Sequence, residues 1–189
     1  MRIAIQGIAG CFSEEAALGL HPRARMVACP DFAGIFAALA EDRAERGLLP
    51  VENSIAGPIE EAQALLAQHP VRVVADLRHR IELCLLLLPD APRAGVRRVL
   101  SHPVALRQCG RFLQQAGWLI EPFFDTAASA REIMRRGQSD WAAIAGPRAA
   151  AAYGARVAKR GIADHRQSLT RFLLLAPRPE GVLKARARR

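Results

Sequence analysis

Four short stretches concentrate the hydroxyl, amide, carboxylate and imidazole side chains of the sequence, and each sits where an apolar run meets a helix-like or strand-like segment. The first, Gln6-Gly7-Ile8-Ala9-Gly10-Cys11-Phe12-Ser13-Glu14, is a glycine-bearing turn that leads into a helix start. Free backbone N–H groups at such a place hold carboxylate as readily as phosphate. The stretch lacks the GKS or GKT ending of a nucleotide loop, and a simple tight turn explains it as well. In the second, Glu52-Asn53-Ser54, three polar side chains stand at a strand end, where open α/β sheets bind ligands. A turn with a helix cap is an equal reading. The third, Ser101-His102-Pro103, offers a proton carrier in His102, although Ser101 and His102 serve equally as caps, the simpler reading of a lone histidine. The fourth, Ser168-Leu169-Thr170-Arg171-Phe172, sets a hydroxyl donor beside a permanent cation able to grip a carboxylate with two hydrogen bonds. A surface turn explains that triplet equally. No serine nucleophile elbow, metal-ligand cluster or close acid pair is present, which leaves hydrolase and metalloenzyme chemistry with little support.

The elements that must position these residues alternate short apolar runs with helically spaced segments, the signature of an α/β fold. Strands are expected at residues 2–6, 48–51, 71–75, 80–88, 98–100, 141–145 and 171–175. Ser13 is expected to cap a first helix carrying Glu14 and Glu15 in its opening turn. A second helix starts at Asp31, runs through Phe32, Ile35, Phe36 and Leu39, and stops by Gly47. Pro58 fits the first position of a helix reaching Gln68, and further helices follow Pro103 and Thr126. If the last strand pairs beside the first group, the chain leaves one lobe, builds a second and returns. The cleft between two such lobes is where a small ligand sits.

Composition narrows the function classes. With 189 residues, 51% of them hydrophobic, the chain can bury a core as one compact domain or two small lobes. Residues 1–6 run straight into an apolar segment with no room for a secretion signal, which reads as cytoplasmic. The longest apolar run, residues 83–88, suits a buried strand and falls far short of the roughly 18 residues of a membrane span. The four cysteines, Cys11, Cys29, Cys84 and Cys109, are scattered and read as free thiols. The net charge of +9 comes almost wholly from dispersed arginines and a basic tail at residues 184–189. That pattern favours a solvated basic surface over nucleic-acid binding, as does the shortage of aromatic residues for base stacking.

Taken together, the four stretches resemble the catalytic domain of the prephenate dehydratases from end to end. The resemblance runs through Gln6-Gly7, Phe12-Ser13-Glu14, Pro50-Val51-Glu52-Asn53-Ser54, Ser101-His102-Pro103, Ala105-Leu106, Gln108-Cys109, Asp125-Thr126-Ala127 and Thr170-Arg171-Phe172, with Tyr153-Gly154 ahead of Ile162-Ala163-Asp164. The Glu-Asn-Ser and Thr-Arg-Phe elements, in that order, are the most specific parts. The sequence departs from the family pattern at Val104 (usually Gln), Cys11 (a small hydroxyl residue or Ala) and Ser168 (Asn).

The resemblance implies an α/β, two-lobed, type II periplasmic-binding-protein-like fold with the active site in the inter-lobe cleft. Lobe 1 would comprise residues 1–76 plus 166–183, and lobe 2 residues 77–165. No ACT-type phenylalanine-binding domain and no chorismate mutase domain is expected, so phenylalanine would have no site of its own. The implied reaction expels water and carbon dioxide from prephenate to give phenylpyruvate, with no metal, nucleotide or organic cofactor. Thr170 would be the donor to the departing hydroxide, and Glu52 or His102 the ultimate proton source. Ser13, Asn53, Ser54, Ser101, Thr126, Arg171 and Phe172 would surround the substrate, with Arg171 holding a carboxylate or bracing the cleft wall. The partners expected are the small-molecule substrate and a second copy in a homodimer, without nucleic acid or membrane. Rival readings are arogenate dehydration on the same scaffold, a two-lobed binding module without turnover, and a nucleic-acid binder supported by charge alone.

Overall fold

Two mixed sheets divide the apolar runs between them. The computed structural model describes residues 1–165 and 167–178. The expected basic tail at 184–189, the end of lobe 1 at 179–183, and Arg166 lie outside the described residues. In chain order the elements are β1 (Arg2–Gln6), α1 (Phe12–Leu20), β2 (Arg25–Cys29), α2 (Phe32–Ala40), β3 (Arg46–Asn53), β4 (Gly57–Pro58), α3 (Glu60–Gln68), β5 (Val71–Arg80), β6 (Cys84–Leu87), β7 (Arg98–Ser101), α4 (Pro103–Gln108), α5 (Gly110–Ala116), β8 (Leu119–Pro122), α6 (Thr126–Arg136), β9 (Trp141–Ala145), α7 (Pro147–Tyr153), β10 (Arg156–Lys159) and β11 (Leu169–Pro177). The first sheet has the order β2-β1-β3-β11-β5, with β4 hydrogen-bonded to β3, and the second β10-β6-β9-β7-β8. β11 returns from the second sheet to lie antiparallel between β3 and β5.

Strand alternation explains why the cores form where they do. Ile3 and Ile5 of β1 face a cluster that also holds Leu48, Phe172 and, from the second sheet, Leu86 and Ala143, so this core spans both sheets. Ala4, Leu49, Val51 and Leu173 face the other way, under Ile35, Phe36 and Leu39 of α2. The apolar run at 83–88 splits likewise: Leu83, Leu85 and Leu87 enter one core while Cys84 and Leu86 enter another. Burial on both faces is why that strand reads as continuous rather than alternating. Among the described residues no helix is long and apolar enough to cross a membrane.

Several boundaries differ from expectation for local reasons. Cys11, not Ser13, caps α1, accepting from Glu14 N through its Sγ at 3.4 Å. α2 ends at Ala40, and Gly47 lies inside β3, where an added Cβ would sit 2.6 Å from Cγ2 of Ile35. Gly47 is therefore a point of close helix-to-sheet approach and not a helix stop. Pro58 pairs with Glu52 in the β3–β4 hairpin, because Asn53 Oδ1 accepts from Ile55 N and Ala56 N and turns the chain back, so α3 starts only at Glu60. β5 continues to Arg80 because β11 pairs with it over its whole length. The expected lobe boundary after residue 76 thus falls within β5, and the expected strand at 80–88 shortens to β6.

Candidate functional site

A cleft of about 330 Å³ opens where the two sheets face each other. From the first sheet and its connections come Gln6, Ser13, Asn53, Thr170 and Phe172, and from the second His102, Gln108, Asp125 and Thr126. Each polar residue sits at or beside an element end: Gln6 closes β1, Asn53 closes β3, Asp125 caps α6, and His102 caps α4. Strand ends beside helix starts leave backbone groups free to face a ligand, and α1 and α6 direct their positive N-terminal ends at the cleft wall. Phe12, Ile59, Ile81, Leu83 and Phe124 supply an apolar surround.

Thr170 is held by a specific set of bonds. Its Oγ1 accepts from Asn53 Nδ2 at 3.0 Å, and the same amide donates to Ser168 Oγ at 3.2 Å. Asn53 Oδ1 accepts from Ile55 N and Ala56 N, both at 3.0 Å. Gln108 Nε2 reaches it from the opposite lobe at 3.5 Å. The serine that departs from the family pattern is fully buried and carries one of these bonds.

His102 lines the cleft and caps α4, accepting from Val104 N at its Nδ1 at 3.2 Å. Burial lowers its pKa below the ordinary imidazole value; the neighbouring Asp125 carboxylate opposes that shift and Arg107 adds to it. The ring is then neutral near pH 7 with its proton on Nε2, a hydrogen-bond donor more than an acid. Cys11 lies under Gly7, and burial pushes its thiol up to about 11, so it packs and caps without reacting.

Four expected site residues are elsewhere. Adjacent residues in a strand point to opposite faces, so with Asn53 and Thr170 turned into the cleft, their neighbours Glu52 and Arg171 must turn away. Those two are paired across β3 and β11 and border a separate hollow of about 150 Å³ with Ser54 and Arg78. Arg171 is engaged there by Asp76, its Nη2 2.6 Å from Oδ2. Ser54 ties the two strands together, accepting from Leu169 N and donating to Gln167 O. Ser101 has no exposed surface and donates to Ile144 O at 2.6 Å, joining β7 to β9. Ser13, Asn53, His102, Thr126, Thr170 and Phe172 do converge. Sequence reasoning passed over Gln6, Gln108 and Asp125 as site residues. Their signal was position: Gln6 ends a central parallel strand, and Asp125 immediately precedes Thr126 at a helix start.

The sequence model of the family described as Prephenate dehydratase matches residues 3–180. Arogenate dehydratase/prephenate dehydratase 2, chloroplastic, of Arabidopsis thaliana is 37% identical over 179 residues, covering 95% of this chain and 47% of that protein. Arogenate dehydratase 1 of Petunia hybrida is 37% identical over 181 residues, covering 95% and 43%. The chain thus spans less than half the length of these curated relatives. Among solved structures, GqqA, described as a novel type of quorum quenching acylase, superposes with a TM-score of 0.88 at 33% identity, covering 95% of this chain and 65% of that one. Prephenate dehydratase from Arthrobacter aurescens, solved in complex with L-Phe, gives 0.87 at 23% identity, covering 95% and 61%, and shares the two-lobed α/β fold.

Proposed function

Because the chain belongs to the prephenate dehydratase family, we propose that its cleft performs the decarboxylating dehydration of prephenate to phenylpyruvate. The observation that carries this reading is Thr170, whose hydroxyl borders the cleft and accepts from Asn53, which leaves its own proton for a ligand. In the reaction the bond from the ring to its carboxylate breaks and its electron pair enters the ring. The C4–O bond breaks, and the departing hydroxide takes up one proton to become water. Prephenate dianion and one proton balance phenylpyruvate anion, carbon dioxide and water. A donor set against the leaving oxygen stabilises the charge that develops there, more in the transition state than in the ground state. The hydroxyls of Ser13 and Thr126 and the N-terminal ends of α1 and α6 are placed to receive carboxylates, a task Arg171 cannot perform while turned toward Asp76.

Hydrolysis in the manner of the acylase is less well supported. Among the described residues no cleft hydroxyl is hydrogen-bonded to His102, whose Nδ1 is occupied by Val104 N–H, so the cleft lacks a base-activated nucleophile. The four buried free cysteines suit a reducing compartment and support the cytoplasmic reading.

A second reading, arogenate dehydration, is favoured by one specific observation. Asp125 is the carboxylate bordering the cleft, and no lysine or arginine does so among the described residues. Arogenate carries an ammonium group where prephenate has a keto group, and a carboxylate would pair with it. The deciding experiment supplies purified protein with each substrate in turn and follows phenylpyruvate and phenylalanine separately. Phenylpyruvate from prephenate supports the first reading, phenylalanine formed from arogenate with a higher kcat/KM the second, and neither product sinks both. Asp125→Asn, which keeps the α6 cap, should lower arogenate turnover selectively if the carboxylate is the discriminator.

A further inference from the structure

We propose that Asn53 is a positioning residue that acts through Thr170, setting the direction of the threonine O–H bond instead of touching substrate; the proposal rests on the dehydration reading of the same cleft. A side-chain amide has two acceptor sites on oxygen and two N–H donors. In Asn53 all four are spent within the protein: Oδ1 accepts from Ile55 N and Ala56 N at 3.0 Å each, and Nδ2 donates to Thr170 Oγ1 at 3.0 Å and Ser168 Oγ at 3.2 Å. The amide cannot be turned over, because its NH2 group would then face two backbone N–H donors.

The consequence falls on Thr170. Its oxygen faces a donor, so its single hydrogen points away from Asn53, and the small exposed part of this residue, 8%, lies in the cleft. Ser168 completes the clamp by taking the second N–H, which is what the departure from the family pattern does in this chain. Gln108 adds a contact to Oδ1 from the other lobe at 3.5 Å, linking the clamp to the approach of the two lobes.

The test is Asn53→Asp. The aspartate keeps one oxygen for Ile55 N and Ala56 N but presents a second oxygen where the NH2 group was. Thr170 then donates to the carboxylate, and its proton leaves the cleft. At pH 7.5 kcat should fall about 10²-fold with KM within about threefold of the parent, as for loss of the donor itself. The double variant N53D/T170A should be no slower than T170A alone. As pH is lowered through the carboxyl titration, the protonated acid again donates to Thr170, and kcat of N53D should recover relative to wild type, a rescue that a merely structural role would not produce. An N53D kcat within threefold of wild type at pH 7.5, losses that multiply in the double variant, or the absence of acid rescue each overturn the proposal. If circular dichroism shows N53D unfolded, Ser168→Ala decides: a several-fold drop in kcat at constant KM is expected, and an unchanged kcat refutes. A wild-type protein that makes no phenylpyruvate removes the dehydration reading and this proposal together, whereas an active wild type with an equally active N53D removes the proposal alone.

Discussion

A hydroxyl has one hydrogen, and at Thr170 the Asn53 amide, donating to Oγ1, leaves that hydrogen to point elsewhere. Thr170→Ala should reduce kcat by roughly 10²-fold or more with a smaller change in KM, the pattern of an interaction made mainly in the transition state, measured by steady-state kinetics of phenylpyruvate formation. If kcat survives, the donor lies elsewhere. Arg171 gives the opposite expectation. Its guanidinium meets Asp76 outside the cleft, and that pairing holds the Asp76 carboxyl below its usual range, first through the hydrogen bond and then through charge. Arg171→Lys should therefore leave KM unchanged; a clear rise would return Arg171 to the substrate. Residue type alone made Arg171 an attractive carboxylate ligand and Glu52 an attractive acid. Only the parity of β3 and β11 turned both away, and that parity depends on the register of two strands more than 100 residues apart in sequence.

At the scale of elements, the apolar runs were legible because burial demands them. β1 and β9 match their expected spans, Arg2–Gln6 and Trp141–Ala145, since each is a short apolar stretch bounded by polar or glycine residues. Helix starts shifted where a side chain captured backbone N–H groups, as Asn53 does ahead of α3. Gly47 shows how a local signal misleads: a glycine after a helical pattern suggests a stop, yet here it admits α2 against β3. Gly47→Ala should destabilise the protein by about 1–3 kcal/mol through overpacking against Ile35 and Leu39, read from chemical denaturation, with kcat per folded molecule preserved. A neutral effect would show that α2 can shift freely.

The whole molecule depends on the seam between its two sheets. Tyr153 donates to Ala9 O at 2.8 Å, Arg148 Nε approaches Glu14 Oε2 at 3.2 Å, and Gly10 lies so close to Ala149 that a Cβ would come within 2.7 Å of that residue's Cα. Gly10 also has φ +85, a conformation that side chains resist. Gly10→Ala should accordingly lower the thermal midpoint and impair turnover together. Beside this seam His79 Nε2 stands 3.6 Å from Glu15 Oε1. Burial lowers the histidine pKa and raises the glutamic acid pKa, so both groups are driven toward their neutral forms and the contact is not a strong ion pair. The two have opposite linkage. His79 binds fewer protons folded than unfolded, so its contribution falls as pH drops below about 6.5, whereas Glu15 contributes less as pH rises through its raised pKa. The stability lost between pH 7 and pH 5 should thus be smaller in His79→Gln than in wild type, as measured by denaturant midpoints. An identical pH dependence would mean that His79 is hydrated in solution.

By itself the sequence determined the α/β class, the main buried strands and which short stretches hold the chemistry, because hydrophobic periodicity and polar residues at element ends are local properties of the chain. Tertiary structure decided which members of those stretches share a cleft. Thr170 meets Asn53 there, with Ser168 buried behind and bonded to the same amide, while Glu52, Ser54, Ser101 and Arg171 do not enter it. The physical reason is that a strand's two faces are assigned by pairing with distant partners, and a one-residue difference in register exchanges them.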